Sequence, residues 1–143
     1  ATVDEAGIPR LQSWEVQPDE FADSLSAASV DSVTIFAKCH HGYSYYPTKV
    51  GVVHPSLASN RNLLGETKMP FYIAVVWDEY AAGAHGDWLQ VSTDGRIIGR
   101  APMDKYGWRF LCMNTPYLDY VEAQAREIVD AYPVDSLFYD IVM

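Results

Sequence analysis

The side chains best suited to chemistry lie in one stretch, Val33–Lys49, which reads VTIFAKCHHGYSYYPTK. Its first residues are mostly apolar or β-branched, as is typical of a strand covered on both faces of a parallel sheet. From Cys39 onward the stretch brings imidazoles, phenols and an amine into one turn-rich segment. Ligands of α/β folds bind at the carboxyl ends of parallel strands, so we interpret this segment as one wall of a site for a polar, ring-shaped molecule.

The other candidate ligand-binding side chains also follow the ends of predicted strands. His40 and His41 are adjacent, and neutral imidazoles both donate hydrogen bonds to sugar hydroxyls and accept them. One buried structural histidine is the alternative interpretation. The remaining candidates are aromatic or charged residues beside a strand end: Lys38, Tyr45, Trp77, Asp78 and Glu79. A ring beside an acid suits contact with a sugar, whereas each charged residue taken singly also fits a solvated loop.

A single acid, Asp140, lies close to the end of the apolar segment Val134–Met143. A buried carboxylate is costly unless it is paired or used in chemistry. Two interpretations follow. Asp140 is either exposed at the rim of the sheet or paired to a neighbour, or it serves as a glycosidase nucleophile or as an acceptor for a sugar hydroxyl.

A metal site has little support in the spacing of ligand residues. Adjacent residues of an extended chain point in opposite directions, so one metal ion held by both His40 and His41 is awkward. No Cys and His cluster has the spacing of a zinc site. We therefore predict no metal and no cofactor. A metal-dependent hydrolase using His40, His41, His54 and Asp140 stays as a minor hypothesis.

Composition restricts the choice of partner. The 143 residues carry a net charge of -9, which disfavours nucleic acid and anionic membranes and leaves a neutral substrate open. Cys39 and Cys112 are expected to be free, buried thiols. No apolar run is long enough to cross a membrane, and the cytoplasm is the default location. The chain begins without Met, as if cut from a longer protein.

The elements that position these residues alternate between strand and helix patterns. The predicted order is strand Leu11–Val16, a helix opened by Pro18, a strand from Val33, a short helix at Asn60–Glu66, strand Phe71–Trp77, a β-hairpin at Trp88–Ile98 around Asp94-Gly95, a helix between Thr115 and Pro133, and strand Val134–Met143. This is the pattern of a (β/α) barrel, but a complete one needs about 250 residues. We predict a single domain, residues 1–143, that forms roughly strands one to four of a partial TIM barrel with a β-hairpin insertion.

Several motifs in this order resemble a known family. Lys38–Lys49 resembles the KHHDGF…WPSK segment of the α-L-fucosidase-type barrel glycosidases. The similarity is greater to the bacterial group called hypothetical glycosyl hydrolase 6. The motifs that carry it are AKCHHG and YYPTK within Ala37–Lys49, WDEY at Trp77–Tyr80, DGR at Asp94–Arg96, N-TPYLDY at Asn114–Tyr120 and the final strand Val134–Ile141.

This resemblance implies roles for individual residues. His40 and His41 would contact the sugar, Asp140 would be the nucleophile, and Trp77 and Glu79 would line the pocket. The general acid/base of such enzymes usually comes from a later strand, so in this chain Glu79 or Asp78 would have to partner Asp140. The segment between Leu57 and Phe71 is shorter than the helix that the family has there.

The leading hypothesis is therefore a fucosidase-like, retaining glycoside hydrolase, or the N-terminal half of one, that acts on a carbohydrate. The alternative is a non-catalytic carbohydrate-binding or assembly module formed by a truncated barrel. Open edge strands also make a homo-oligomer possible.

Overall fold

A computed structural model describes residues 18–55, 57, 70–99 and 108–142 of the chain. Their fold is mixed α/β. The described helices are α1 (Pro18–Ala27), α2 (Glu79–Ala84) and α3 (Tyr117–Ala131), with a short 3-10 helix at Gly86–Trp88. The described strands are β1 (Ile35–Lys38), β2 (Tyr43–Ser44), β3 (Val52–Val53), β4 (Phe71–Ala74) and β5 (Leu137–Asp140).

The strands form one sheet in the order β3-β2-β1-β4-β5. β4 lies between β1 and β5 and is parallel to both, as expected for strands linked by helical crossovers. β2 turns back antiparallel to β1, and β3 pairs in parallel with β2. The parallel pairs place the carboxyl ends of β1, β4 and β5 at one edge of the sheet.

One face of the parallel strands packs against α3. Ala37, Phe71 and Ile73 form a buried cluster with Tyr46 and with Ile128 of α3. Burial of Phe71, Ile73 and Ile128 stabilises the fold by roughly 1.5–3 kcal/mol for each side chain. A second cluster joins the strand ends to the first turns of α2 and α3: Val75, Val76, Ala81, Ala82, Leu111, Tyr117 and Val121.

The opposite face of the sheet carries a ladder of rings. Phe36, Tyr72 and Phe138 are register neighbours on β1, β4 and β5. The ring centroids of Phe36 and Tyr72 are 4.4 Å apart, and those of Tyr72 and Phe138 are 5.8 Å apart. Phe36 is 50% exposed and Phe138 is 54% exposed, so this apolar face is open to solvent.

Most elements that local patterning predicts are present, with shorter strands. The strand expected at Phe71–Trp77 is β4, and Val75 and Val76 extend its bonding to β5 through Asp140 O and Ile141 O. The helix expected between Thr115 and Pro133 is α3. The Asp94-Gly95 reversal is present, but it carries one β-bridge, Val91 with Ile97, in place of a ladder.

Three expectations differ from the structure or lie outside it. The loop predicted after Trp77 is the short helix α2, which Asp78 caps with its side chain. The predicted strand Leu11–Val16 and helix Asn60–Glu66 lie outside the described residues. Within the described part of the chain, no helix has the length and apolarity needed to cross a bilayer.

Candidate active site

The loops after β1 and β4 are joined at their backbones. Glu79 N donates to His40 O at 3.0 Å, and Tyr80 N donates to His41 O at 3.1 Å. These two N–H groups belong to the first turn of α2, where helix donors lack partners within the helix. The histidine carbonyls supply partners, so α2 and the histidine pair hold each other in place.

Four aromatic rings then form a continuous ring column: His41, His40, Trp77 and Trp108. Their successive centroids are 4.1, 4.2 and 4.2 Å apart. Two rings cannot both lie 4.2 Å from one centroid on the same side without overlapping. His40 and Trp108 therefore cover opposite faces of Trp77.

The carboxylate of Glu79 is fully engaged. Its Oε1 accepts hydrogen bonds from Trp77 Nε1 and Arg109 N, both at 2.9 Å. Its Oε2 accepts from Arg109 Nε at 2.8 Å, and the guanidinium also donates to Glu79 O at 3.0 Å. A charge-assisted contact of this kind fixes the carboxylate geometrically. Glu79 is therefore poorly arranged to give a proton to a leaving group.

Lys38 and Asp78 meet in the interior. Lys38 Nζ lies 2.7 Å from Asp78 Oδ2, and the two side chains are only 1% and 0% exposed. Lys38 also donates to the Tyr117 hydroxyl at 3.1 Å, and Asp78 Oδ1 accepts from Ala81 N at 2.8 Å. A substrate cannot reach either group directly. The expectation that both bind the sugar is corrected accordingly, because their partners are protein groups.

Asp140 is held at the end of β5 by two donors. The Tyr72 hydroxyl donates to Asp140 Oδ2, and Ile141 N donates to Oδ1, both at 2.8 Å. Ile141 has a φ of 57°, an outlier for a β-branched residue. Backbone strain of this kind is concentrated at functional sites. Burial, followed by the hydrogen bond to Asp140, raises the pKa of Tyr72, so this hydroxyl remains a donor.

The environment favours neutral imidazoles at both histidines. Burial lowers the pKa of His40 from 6.5, against the opposing effect of the Glu79 carboxylate. For His41, burial is again the largest cause of a lowered pKa; His40 adds to it and Glu79 opposes it. Neutral imidazoles keep both a donor and an acceptor nitrogen, as contact with hydroxyls requires.

Tyr45 lies on a separate aromatic cluster. Its ring stacks on His54 with centroids 5.3 Å apart, and Tyr43 meets His54 edge-on at 5.4 Å. His54 is buried, with 1% exposure, whereas His40 and His41 are only partly buried. Burial, with a further contribution from Cys39, raises the pKa of Tyr45. Among the described residues, no group of three or more His, Cys, Asp or Glu could hold a metal ion.

The YYPTK motif is fixed by α3. Glu127 Oε2 accepts from the Tyr46 hydroxyl at 3.0 Å and from the Thr48 hydroxyl at 2.5 Å. Its Oε1 accepts from Lys49 N, also at 2.5 Å. These bonds give the motif a structural reason that is independent of any ligand.

Sequence reasoning brought His40, His41, Trp77 and Glu79 together, but it missed the groups that hold them. Trp108 and Arg109 lie about thirty residues after Glu79 in the chain, and no local pattern connects them with the site. Only a weak sequence signal connects Tyr72 with Asp140. Strand alternation puts Tyr72 on the same face of the sheet as Ala74, and Ala74 is the register partner of Asp140.

In open α/β sheets, ligands bind outside the carboxyl ends of the parallel strands, which is where the imidazoles, the indoles and the Asp140 carboxylate lie. The chain belongs to the hypothetical glycosyl hydrolase 6 family, whose family model matches residues 17–141. The family resemblance seen in the motifs is thereby confirmed.

A solved structure, alpha-L-fucosidase isoenzyme 2 from Paenibacillus thiaminolyticus, is similar to the chain. The two share 37% sequence identity with a TM-score of 0.79, over 88% of this chain and 20% of the fucosidase chain. The chain thus spans about a fifth of the length of that fucosidase. Among curated proteins, none matches the chain.

Proposed function

We propose that this chain is the part of a retaining, fucosidase-like glycoside hydrolase that carries the nucleophile and the groups orienting the sugar. In the first step, an oxygen of Asp140 bonds to the anomeric carbon and the bond to the leaving-group oxygen breaks. The leaving group keeps the electron pair and takes a proton from a carboxylic acid. Water then attacks the anomeric carbon and gives a proton to the same carboxylate that protonated the leaving group; the glycosyl-enzyme bond breaks and the Asp140 carboxylate is restored.

The observation that carries this proposal is the fixed carboxylate of Asp140 at the end of a parallel strand. Tyr72 and Ile141 each donate to one of its oxygens at 2.8 Å, which orients the carboxylate before a substrate arrives. Preorganisation of this kind supports a nucleophilic role, because a reacting atom must be aimed at the anomeric carbon.

The sugar-orienting groups are His40, His41 and, through stacking on His40, Trp77. We assign Glu79, Lys38 and Asp78 to positioning, because each is satisfied by protein partners. The acid that protonates the leaving group is assigned to a residue outside the described set, roughly 5–5.5 Å from Asp140 as retaining enzymes require.

The open face of the sheet supports a larger barrel around this chain. Phe36 and Phe138 are half exposed, and inward-facing residues of a closed barrel are covered by side chains from the other strands. An apolar groove lined by Val121, Val129 and Leu137 lies outside β5, where a following helix would pack.

The test is replacement of Asp140 by Gly in the natural polypeptide that contains this chain, assayed with an aryl α-L-fucoside. Turnover should fall at least about a thousandfold. Azide should restore it by forming a glycosyl azide of inverted configuration, which also shows that the variant is folded. Asp135→Gly, which removes an exposed acid just before β5, is the matched control. Undiminished turnover in Asp140→Gly would refute the nucleophile assignment.

Binding without cleavage is the second candidate, and the engaged state of Glu79 favours it for this chain acting alone. Calorimetry with simple sugars distinguishes the two. A sugar that binds this chain and is recovered intact, with no activity in the parent polypeptide, would support a carbohydrate-binding module.

A further inference from the structure

The ring column presents its exposed face at Trp108. Trp77, the ring expected from sequence to stack on a sugar, has His40 on one face and Trp108 on the other, with both centroids at 4.2 Å. Neither face of Trp77 is therefore open to a ligand. Trp108 is 55% exposed, so an indole at the outer end of the column is open to solvent.

This exposed indole is fixed from below. One carboxylate oxygen, Glu79 Oε1, accepts hydrogen bonds from both Trp77 Nε1 and Arg109 N. This oxygen therefore links Trp77, the ring on which Trp108 stacks, to Arg109, the residue after Trp108. The guanidinium of Arg109 adds bonds to Glu79 Oε2 and Glu79 O. A side chain that is ordered before binding loses less conformational entropy when a ligand arrives. Exposed yet fixed aromatic surface is what a binding platform requires.

We propose that the outer face of Trp108 binds a neutral pyranose ring of an oligosaccharide, at a distance along the ligand from the sugar that occupies the site at His40 and Asp140. The proposal rests on the proposed function for the sugar at His40 and Asp140 only. A pyranose has a face of C–H bonds, which packs on the electron-rich face of an indole. The substrate is then an oligosaccharide and not a simple monosaccharide glycoside.

The charges favour a neutral sugar over other occupants. The Arg109 guanidinium is already paired with Glu79 at 2.8 Å, so it is not available for an acidic sugar. The net charge of -9 disfavours anionic ligands.

The platform can be tested by binding to the Asp140→Gly variant of the natural polypeptide that contains this chain, so that no ligand is cleaved. The probes are L-fucose, lactose and fucosyllactose, followed through the indole N–H resonances in NMR titrations. We expect fucosyllactose and lactose to shift the Trp108 resonance. Trp108→Ala should weaken fucosyllactose binding at least about tenfold, to near the affinity of L-fucose alone.

Two matched variants make the test specific. Trp108→Phe keeps an aromatic face and should retain most of the affinity. Phe21→Ala removes another exposed ring, 37% accessible, on helix α1, and should leave the affinity for all three sugars unchanged. Unchanged affinity in Trp108→Ala, or no binding of any of the three sugars, would overturn the platform. A sedimentation shift that Trp108→Ala abolishes would instead show a contact between copies, and would overturn it too.

The outcome is separable from that of the proposed function. Trp108-dependent binding of lactose stands even if Asp140→Gly retains full turnover. Conversely, turnover that depends on Asp140, together with sugar binding that does not depend on Trp108, would refute only the Trp108 platform and leave the proposed function in place.

Discussion

Replacing Lys38 by Met removes the cation that faces the buried carboxylate of Asp78. The two charged atoms are 2.7 Å apart and neither side chain is more than 1% exposed. At an effective dielectric constant of about 20, two unit charges at this separation attract by about 6 kcal/mol. Much of that attraction offsets the desolvation of the two charges, so the pair contributes far less to net stability.

The single variant should nevertheless lose about 3–5 kcal/mol of unfolding free energy, because it leaves Asp78 buried without its partner. Asp78→Asn should lose a similar amount from the Lys38 side, although Asn still caps α2 through Ala81 N. In the double variant neither charge is left alone. Its loss should fall short of the sum of the single losses by about 2 kcal/mol.

Urea denaturation followed by circular dichroism measures all three losses. The control is Arg96→Met, which breaks an ion pair with Asp94 of similar length, 2.6 Å, whose side chains are 84% and 51% exposed. That variant should unfold close to the wild type, since exposed pairs contribute little. Additive losses in the double variant, or a loss in Lys38→Met no greater than in the control, would refute the account of the buried pair.

Two further predictions concern the strand-end loops. Gly42→Ala should destabilise the chain by about 2–3 kcal/mol more than Gly95→Ala. Both glycines have a positive φ, 87° and 82°, so the backbone strain of the two variants is similar. A Cβ on Gly42 would lie 2.1 Å from Asp78 Oδ1, whereas a Cβ on Gly95 would have no heavy atom within 4 Å. Equal losses of unfolding free energy would exclude the contact. Because the pKa of each of His40 and His41 is lowered in the fold, the unfolded chain binds protons first as the pH falls through 6.5. The free energy of unfolding should therefore decline below that pH, and it should decline less steeply in the His40→Gln/His41→Gln variant. Denaturation measured above and below pH 6.5 checks this. The same decline in both proteins would contradict the assignment to the two histidines.

Local patterning was sufficient for the longer elements of the fold. Apolar spacing and the flanking prolines defined α3 because a fifteen-residue helix has one continuous buried stripe. The short helix α2 escaped prediction for a different reason. Its six residues are stabilised by the Asp78 side chain and by the carbonyls of His40 and His41, and the carbonyl partners lie in a separate segment of the chain.

For the candidate site too, local sequence features were predictable and contacts between distant segments were not. Residue types at strand ends predicted site roles for His40, His41 and Asp140, because parallel strands bring their carboxyl ends to one edge. These roles stay predictions. The burial of Lys38 and the full set of hydrogen bonds to Glu79 could not be predicted from the sequence, because both depend on partners distant in sequence. A charged residue at a strand end looks the same in sequence whether it faces a ligand or an ion partner.

The three hydrogen bonds that Glu127 accepts from Tyr46, Thr48 and Lys49 have a further implication. They fasten the segment after the histidine pair to a helix on the far side of the sheet from Asp140. The conformation of that segment is therefore encoded partly in α3, so substitutions on this helix can shift the segment that follows the histidine pair. Directed evolution that samples only pocket-lining positions would overlook this route.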